Sequence, residues 1–253
     1  MDFYAQFRKK FKVFKYYVDR NVLLTLFFHE IRLAFGSLLQ RAWIIIILFF
    51  AFLFVIGDRN LTAVTSLLVF FVFFGTIIAI VVSSSSISGE LGGIADSLLS
   101  KSVRRWEYLL SKFLSHIAVV LIVYCSVLVV MVGILWNFKY LSDELSYRNL
   151  FFIIGLVGLG LVFFSSIGVM FSSIFSKTVF SLLASITVWF LLIFLFAVTE
   201  WEFLYSPVEI LDKFALILEG SWDVDYWKIL LFYTGSPCVF FVVSLIGFYQ
   251  RDL

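Results

Sequence analysis

Between Ser88 and Phe113 the chain reads SGELGGIADSLLSKSVRRWEYLLSKF, with acids at Glu90, Asp96 and Glu107 among bases at Lys101, Arg104, Arg105 and Lys112. A second charged knot, His29, Glu30 and Arg32 in the tetrad HEIR, lies upstream, and a lone histidine, His116, follows. Carboxylates and bases interleaved in this way form ion pairs, grip a charged partner or pass protons. The signatures that would turn them to soluble catalysis are missing: no G-x-x-x-x-G-K-[ST] phosphate loop, no H-E-x-x-H and no G-x-S-x-G. His116, about two turns into an apolar run, is expected to be a hydrogen-bonded structural residue rather than a relay.

The elements that must position these groups are apolar. Of 253 residues 62% are hydrophobic and 14% charged, Phe occurs 33 times and the mean hydropathy is +1.07. Such a composition lies far outside that of soluble domains and implies an integral membrane protein. Nothing alternates with period two over ten-residue segments, so a barrel is excluded. A helix needs about 20 residues to cross a bilayer, and the runs predict an all-α protein of six transmembrane helices, at 42–57 (reaching back to Leu38), 61–87, 108–136, 150–176, 178–199 and 229–249. Lys177 alone separates the fourth from the fifth, which reads as a tight turn between two spans.

With both termini inside, 14 of the 19 lysines and arginines face the cytoplasm, which fixes the topology by the positive-inside rule. The net charge of +2 averages a basic inner face with an acidic outer one. No cleavable signal is expected, because no compact apolar core with a small-residue cleavage site follows the basic amino terminus. Cys125 and Cys238 fall within spans and read as packing residues, not as a disulfide or a metal site.

Residues 1–41 form the cytoplasmic part. Phe3, Phe7, Phe11 and Phe14, spaced by three and four among bases, predict an amphipathic helix on the anionic inner leaflet. A second such segment, Val22 to Gln40, carries HEIR and runs into the first span. Residues 42–253 form the membrane domain. In its fourth span Gly160, Gly168, Ser172 and Ser176 fall on one stripe with Phe164, open to packing within the chain, to a subunit interface or to a substrate path. Ser83 to Ser86 either return hydrogen bonds to their own helix or line a polar vestibule. The acidic, aromatic segment at about 200–227 reads as a hairpin resting in the outer interface.

The topology places the opening stretch in the cytoplasm between spans two and three. Gly89, Gly92 and Gly93 with Glu90 end the second span, Asp96 or Ser97 caps a short helix, Leu98 and Leu99 lie along one side, and Arg104 and Arg105 close it near its carbonyl end. Trp106 and Tyr108 mark the headgroup level, and Glu107 and Lys112 start the third span. A loop that only joins two spans needs a few residues, whereas one presenting leucines at the membrane surface fits a partner.

This stretch resembles the signature between the second and third spans of ABC-2 type transporter permeases. The matching positions are Glu90, Gly93, Leu98, Leu99, Ser100, Val103, Arg105, Glu107 and Lys112. HEIR with the later Arg41 is similar to that family's interfacial helix, and FYQRDL at Phe248–Leu253 is similar to its closing motif. The sequence departs from the pattern at Ile94, where Thr is usual, at Ser102, where Pro is usual, and in the spacing of Glu90 from Gly93.

The resemblance implies an ABC-2 permease fold of the type V exporter kind, with an amino-terminal interfacial helix. It implies a subunit without its own catalytic site that pairs with a second copy or a related permease and binds an ABC ATPase. The docking face would be a coupling helix at about 90–105, holding Glu90, Gly93, Asp96, Leu98, Leu99, Arg104 and Arg105, followed by Glu107, with His29, Glu30 and Arg32 of the interfacial helix beside it. ATP and Mg would be held by the ATPase, and no cofactor, metal or nucleic acid by this chain. A path of Phe, Ser and Gly without buried charge favours export of an apolar or amphipathic cargo across the cell membrane. A non-transporting scaffold and a passive channel or scramblase are the competing classes.

Overall fold

Apolar residues fill both faces of each long run, so the chain folds into helices that satisfy their own backbone and bury side chains against one another. The computed structural model describes residues 21–57, 61–90, 103–138, 147–199, 214–219 and 226–250, and every element among them is helical. In chain order these are α1 (Val22–Gly36), α2 (Leu38–Gly57), α3 (Leu61–Phe70), a π-helical turn (Phe71–Gly75), α4 (Thr76–Ser84), α5 (Arg105–Asn137), α6 (Tyr147–Ile174), α7 (Thr178–Thr199), the short α8 (Phe214–Glu219) and α9 (Tyr226–Tyr249). Five rods are long and apolar enough to cross a membrane: α2, the continuous α3–π–α4 rod, α5, α6 and α9. In α7 the apolar stretch among the described residues is shorter, Thr178–Ile193. The expected helix at residues 1–20 lies outside the described residues, as do most of the coupling helix and of the outer segment.

The second amphipathic segment does not run unbroken into the first span. Asn21 caps α1, its side chain accepting from the Leu23 N–H at 3.1 Å. Ser37 then leaves the helix in an extended conformation. Its hydroxyl donates to the Ala34 carbonyl at 2.8 Å and accepts from the Gln40 N–H at 3.2 Å. One serine thus closes α1 and opens α2. The Arg41 side chain folds back over the break, its Nε donating to the Phe35 carbonyl at 3.3 Å.

The second span carries an irregularity that periodicity does not show. Over Phe71–Gly75 the helix widens to π geometry, and the Thr76 hydroxyl takes up the slack by donating to the Val72 carbonyl at 2.6 Å or the Phe73 carbonyl at 3.0 Å. The same oxygen accepts from Trp189 Nε1 of α7 at 2.9 Å. Single π turns of this kind favour functional positions in helices.

Helix α6 is the axis of the bundle. Some 67% of its most apolar window is buried, against 22% for α2 and for α9. Phe163 packs on Phe232, Tyr233 and Phe240 of α9 with ring centroids 5.6, 5.7 and 5.5 Å away. The Tyr124 hydroxyl of α5 donates to the Ile154 carbonyl at 2.7 Å. Pro237 sits inside α9, a position that membrane helices tolerate when neighbours pack around the freed carbonyl.

The small residues of α6 are used between helices of the chain itself. A Cβ at Gly168 would lie 2.8 Å from the Ser83 Cβ and 3.1 Å from the Ile80 carbonyl oxygen, so α4 and α6 meet at backbone distance there. Beside it Ser83 and Ser165 share a hydrogen bond at 2.8 Å. Ser172 Oγ accepts from the Ile87 and Ser88 N–H groups at 2.9 and 3.0 Å. Gly160 is buried but has nothing within 4 Å of where a Cβ would go, and Ser176 is exposed. Gly168→Ala therefore forces α4 from α6 and is expected to destabilise the purified chain by about 1–3 kcal/mol. Gly160→Ala is expected to leave the thermal midpoint unchanged or slightly raised, and equal midpoints for the two variants would refute the close approach.

Candidate functional site

Along α5, Tyr108, Lys112 and His116 recur every four residues and so form one stripe on one face. None of them is an acid, so Lys112 finds no carboxylate on its own stripe. It is nonetheless 1% exposed. An ammonium removed from water to that extent costs several kcal/mol unless opposite charge meets it in good geometry.

Two carboxylates arrive from distant parts of the chain. Glu30 Oε2 of α1 lies 2.7 Å from Lys112 Nζ, and Glu90 Oε1, just beyond α4, lies 2.6 Å from it. The Tyr108 hydroxyl donates to the other Glu90 oxygen at 2.9 Å, and its ring centroid lies 5.6 Å from the Lys112 ammonium. The carboxylates keep partial access to solvent, 11% for Glu30 and 24% for Glu90.

Local backbone chemistry delivers each member. Glu90 is reached through a turn in which Ser86 N–H bonds to the Ser83 carbonyl, Gly89 N–H to that of Ser85 and Glu90 N–H to that of Ile87. That turn is pinned to α6 by Ser172 and to the start of α7 by the Ser88 hydroxyl, 3.2 Å from Thr178 Oγ1. Helix α5 starts at Arg105, with Arg104 as its extended cap residue. Glu107 Oε2 accepts from the Arg104 N–H at 3.2 Å, which places an acid in the first turn where the helix dipole favours it.

The geometry revises several expectations. Arg104 and Arg105 open α5, Arg104 as its cap residue, and the segment 91–102 before them lies outside the described residues. Tyr108 is 1% exposed, packed inside the bundle, whereas Trp106 is exposed. Lys112 is buried and paired, and Glu90, whose spacing departs from the family pattern, is one of its two partners. Of the charged and titratable residues of HEIR, Glu30 reaches the cluster, and His29 and Arg32 are exposed. His116 does not satisfy its Nδ1, which is buried without a hydrogen-bond partner among the described residues. Of the serines, Ser84 and Ser85 return bonds to the Val81 and Val82 carbonyls at 3.0 and 3.2 Å, Ser83 crosses to α6, and the Ser86 hydroxyl has no partner among the described residues. Gly93, Asp96, Leu98 and Leu99 lie outside the described residues.

The carboxyl-terminal helix closes the cluster from the far side. Phe248 stacks on Tyr108 at 5.9 Å, and the Arg105 guanidinium sits over the Tyr249 ring at 5.9 Å. Ile87, Leu109, Phe113 and Val169 complete this small apolar knot. The first residues of the terminal FYQRDL are thus packing partners of α5, while Arg251, Asp252 and Leu253 lie outside the described residues.

A family model described as an ABC-2 family transporter protein matches residues 58–253. No curated protein sequence matches the chain.

Removing the ammonium leaves two carboxylates facing each other in a partly dry site. Lys112→Met is expected to lower the stability of the purified chain by about 3 kcal/mol. Adding Glu30→Gln and Glu90→Gln to that variant should recover most of the loss in thermal denaturation, since no unpaired charge then remains. If the triple variant is no more stable than Lys112→Met, the pairing does not govern the energetics of this site.

Proposed function

The chain belongs to the ABC-2 transporter family, multi-pass membrane permeases of ABC transporters, and on that premise we propose that the Glu30–Lys112–Glu90 cluster carries ATP-driven motion from a separate ATPase subunit into the spans. The observation behind this reading is the place of the three residues in the chain. Glu90 stands immediately before residues 91–102, Lys112 follows them on α5, and Glu30 belongs to α1. A push on the segment between Glu90 and Arg105 therefore meets two stems already tied to each other and to α1, so all three move as one body.

In this reading Leu98, Leu99, Asp96 and Gly93 present the docking face, with Arg104, Arg105 and Glu107 at its exit and His29 and Arg32 on the exposed side of α1. The ATPase holds ATP and Mg, and this chain supplies no catalytic group. Six spans per subunit, counting α7, pair with a second copy or a related permease in the cell membrane, both termini facing the cytoplasm. The halves rock as rigid bodies around a central path. A cargo that is apolar or amphipathic suits the Phe-rich spans, and export suits a subunit whose docking surface lies inside.

The test is a gentle-detergent pull-down of the tagged chain with ATPase activity assayed in the eluate. An ATPase is expected with the wild type, and Leu98→Asp/Leu99→Asp is expected to reduce its recovery more than tenfold while the permease stays folded, because the contact would then bury unpaired charge. If nothing that hydrolyses ATP accompanies the folded wild type, the chain does not work as an ATP-driven permease and a scaffold or channel takes its place.

A further inference from the structure

A cavity of about 270 Å³ opens beside the ion cluster, between α1, the end of α4 and α5. Its polar lining adds Ser37, Ser85, Ser86 and His116 to Glu30, Glu90 and Lys112, and the other lining residues, Leu33, Ala34 and Val82, are aliphatic. Two carboxylates against one ammonium leave the lining with one negative charge in excess. Two of the residues that line it also carry a buried side-chain atom with no hydrogen-bond partner among the described residues: the hydroxyl of Ser86, a residue 5% exposed, and Nδ1 of His116. Buried polar groups without partners cost free energy, and in native structures such groups point to a bound water, ion or ligand.

The chemistry of the wall narrows the occupant. Excess negative charge rejects an anion. The described residues hold no group of three His, Cys, Asp or Glu side chains placed to ligate a metal. A quaternary ammonium is recognised by aromatic faces, and this lining has none. A primary ammonium carries one positive charge and three N–H donors, which answers one surplus carboxylate, one hydroxyl oxygen and one imidazole nitrogen.

We propose that this cavity binds a primary ammonium group, neutralised by Glu30 and Glu90 and hydrogen-bonded by Ser86 and His116. Two sources carry that chemistry to the inner rim of a membrane protein: the ethanolamine headgroup of a lipid and a soluble amine. The site does not depend on an ATPase partner, so it stands or falls apart from the docking reading above.

The experiment reconstitutes the full chain in nanodiscs of mixed ethanolamine- and choline-headgroup lipids and counts retained lipids by native mass spectrometry. A parallel series in choline-lipid discs measures the thermal midpoint with added ethanolamine. Ser86→Ala removes a hydroxyl that has no partner among the described residues, and Glu30→Gln removes the surplus charge while keeping an acceptor for Lys112. Enrichment of ethanolamine lipid on the wild type, reduced about fivefold by Ser86→Ala and about tenfold by Glu30→Gln, establishes the lipid source. No lipid preference, with a midpoint raised by ethanolamine in the wild type and not in either variant, establishes the soluble source. If the wild type shows neither effect, or both variants match it, the cavity holds only water and the proposal is wrong.

Discussion

A lysine ammonium cannot lie unpaired in an apolar protein interior, and the inner end of this bundle is organised around that constraint. Lys112 is two turns into a helix whose following residues are almost all apolar. Its charge is met by carboxylates some 82 and 22 residues away in the sequence, which no local interaction could recruit. For Glu30 to reach it, α1 must lie along α5 rather than continue upward as part of α2, and the Ser37 break permits this. For Glu90 to reach it, the chain beyond α4 must turn back toward α5, and the carbonyl bonds of residues 83–90 with the Ser172 hydroxyl of α6 fix that turn.

The ion cluster and the serine network are therefore one construction. Ser172 satisfies the N–H groups of Ile87 and Ser88 that the end of the second span leaves free, and Gly168, one turn earlier, lets α4 come close enough for it to do so. The stripe of small residues in α6 works as a bearing surface for α4, and the position of Glu90 inherits its accuracy from that surface. Tyr108 then links the cluster to α9 through Phe248, so the last helix of the chain is held to the same point.

Much of this was legible in the sequence and some was not, for physical reasons. Long apolar runs specify long helices by composition alone. The predicted fifth span, 178–199, coincides with α7, and the first with α2 once its reach back to Leu38 is allowed. Polarity at one residue carries no such signal. Ser37 looks like any polar residue in an amphipathic helix, and the π turn at Phe71–Gly75 lies in a run that is apolar whichever helical geometry it takes. Lys112 read as an inner-face positive charge because periodicity cannot tell a snorkelling lysine from a buried one. The available clue was the stripe itself, since Tyr108 and His116 at four-residue steps leave Lys112 without an acid on its own helix, and a lysine so placed needs a partner from elsewhere.

The distribution of packing separates a fixed base from a more adjustable upper part. At the base, helices α1, α4, α5, α6 and α9 meet through ion pairs, serine hydrogen bonds and stacked rings, contacts that depend on direction and break when the partners slide. Above it, the second span passes through its π turn, where the i to i−4 ladder is interrupted and the Thr76 hydroxyl stands in for the regular pattern. From that point α3 and α2 meet through aromatic rings, Phe50 on Phe70 at 4.7 Å and Trp43 on Phe70 at 6.2 Å. Thr76, just after the π turn, is tied to α7 by the hydrogen bond from Trp189. The π turn thus divides the second span into two halves with different neighbours, α4 against α6 and α3 against α2.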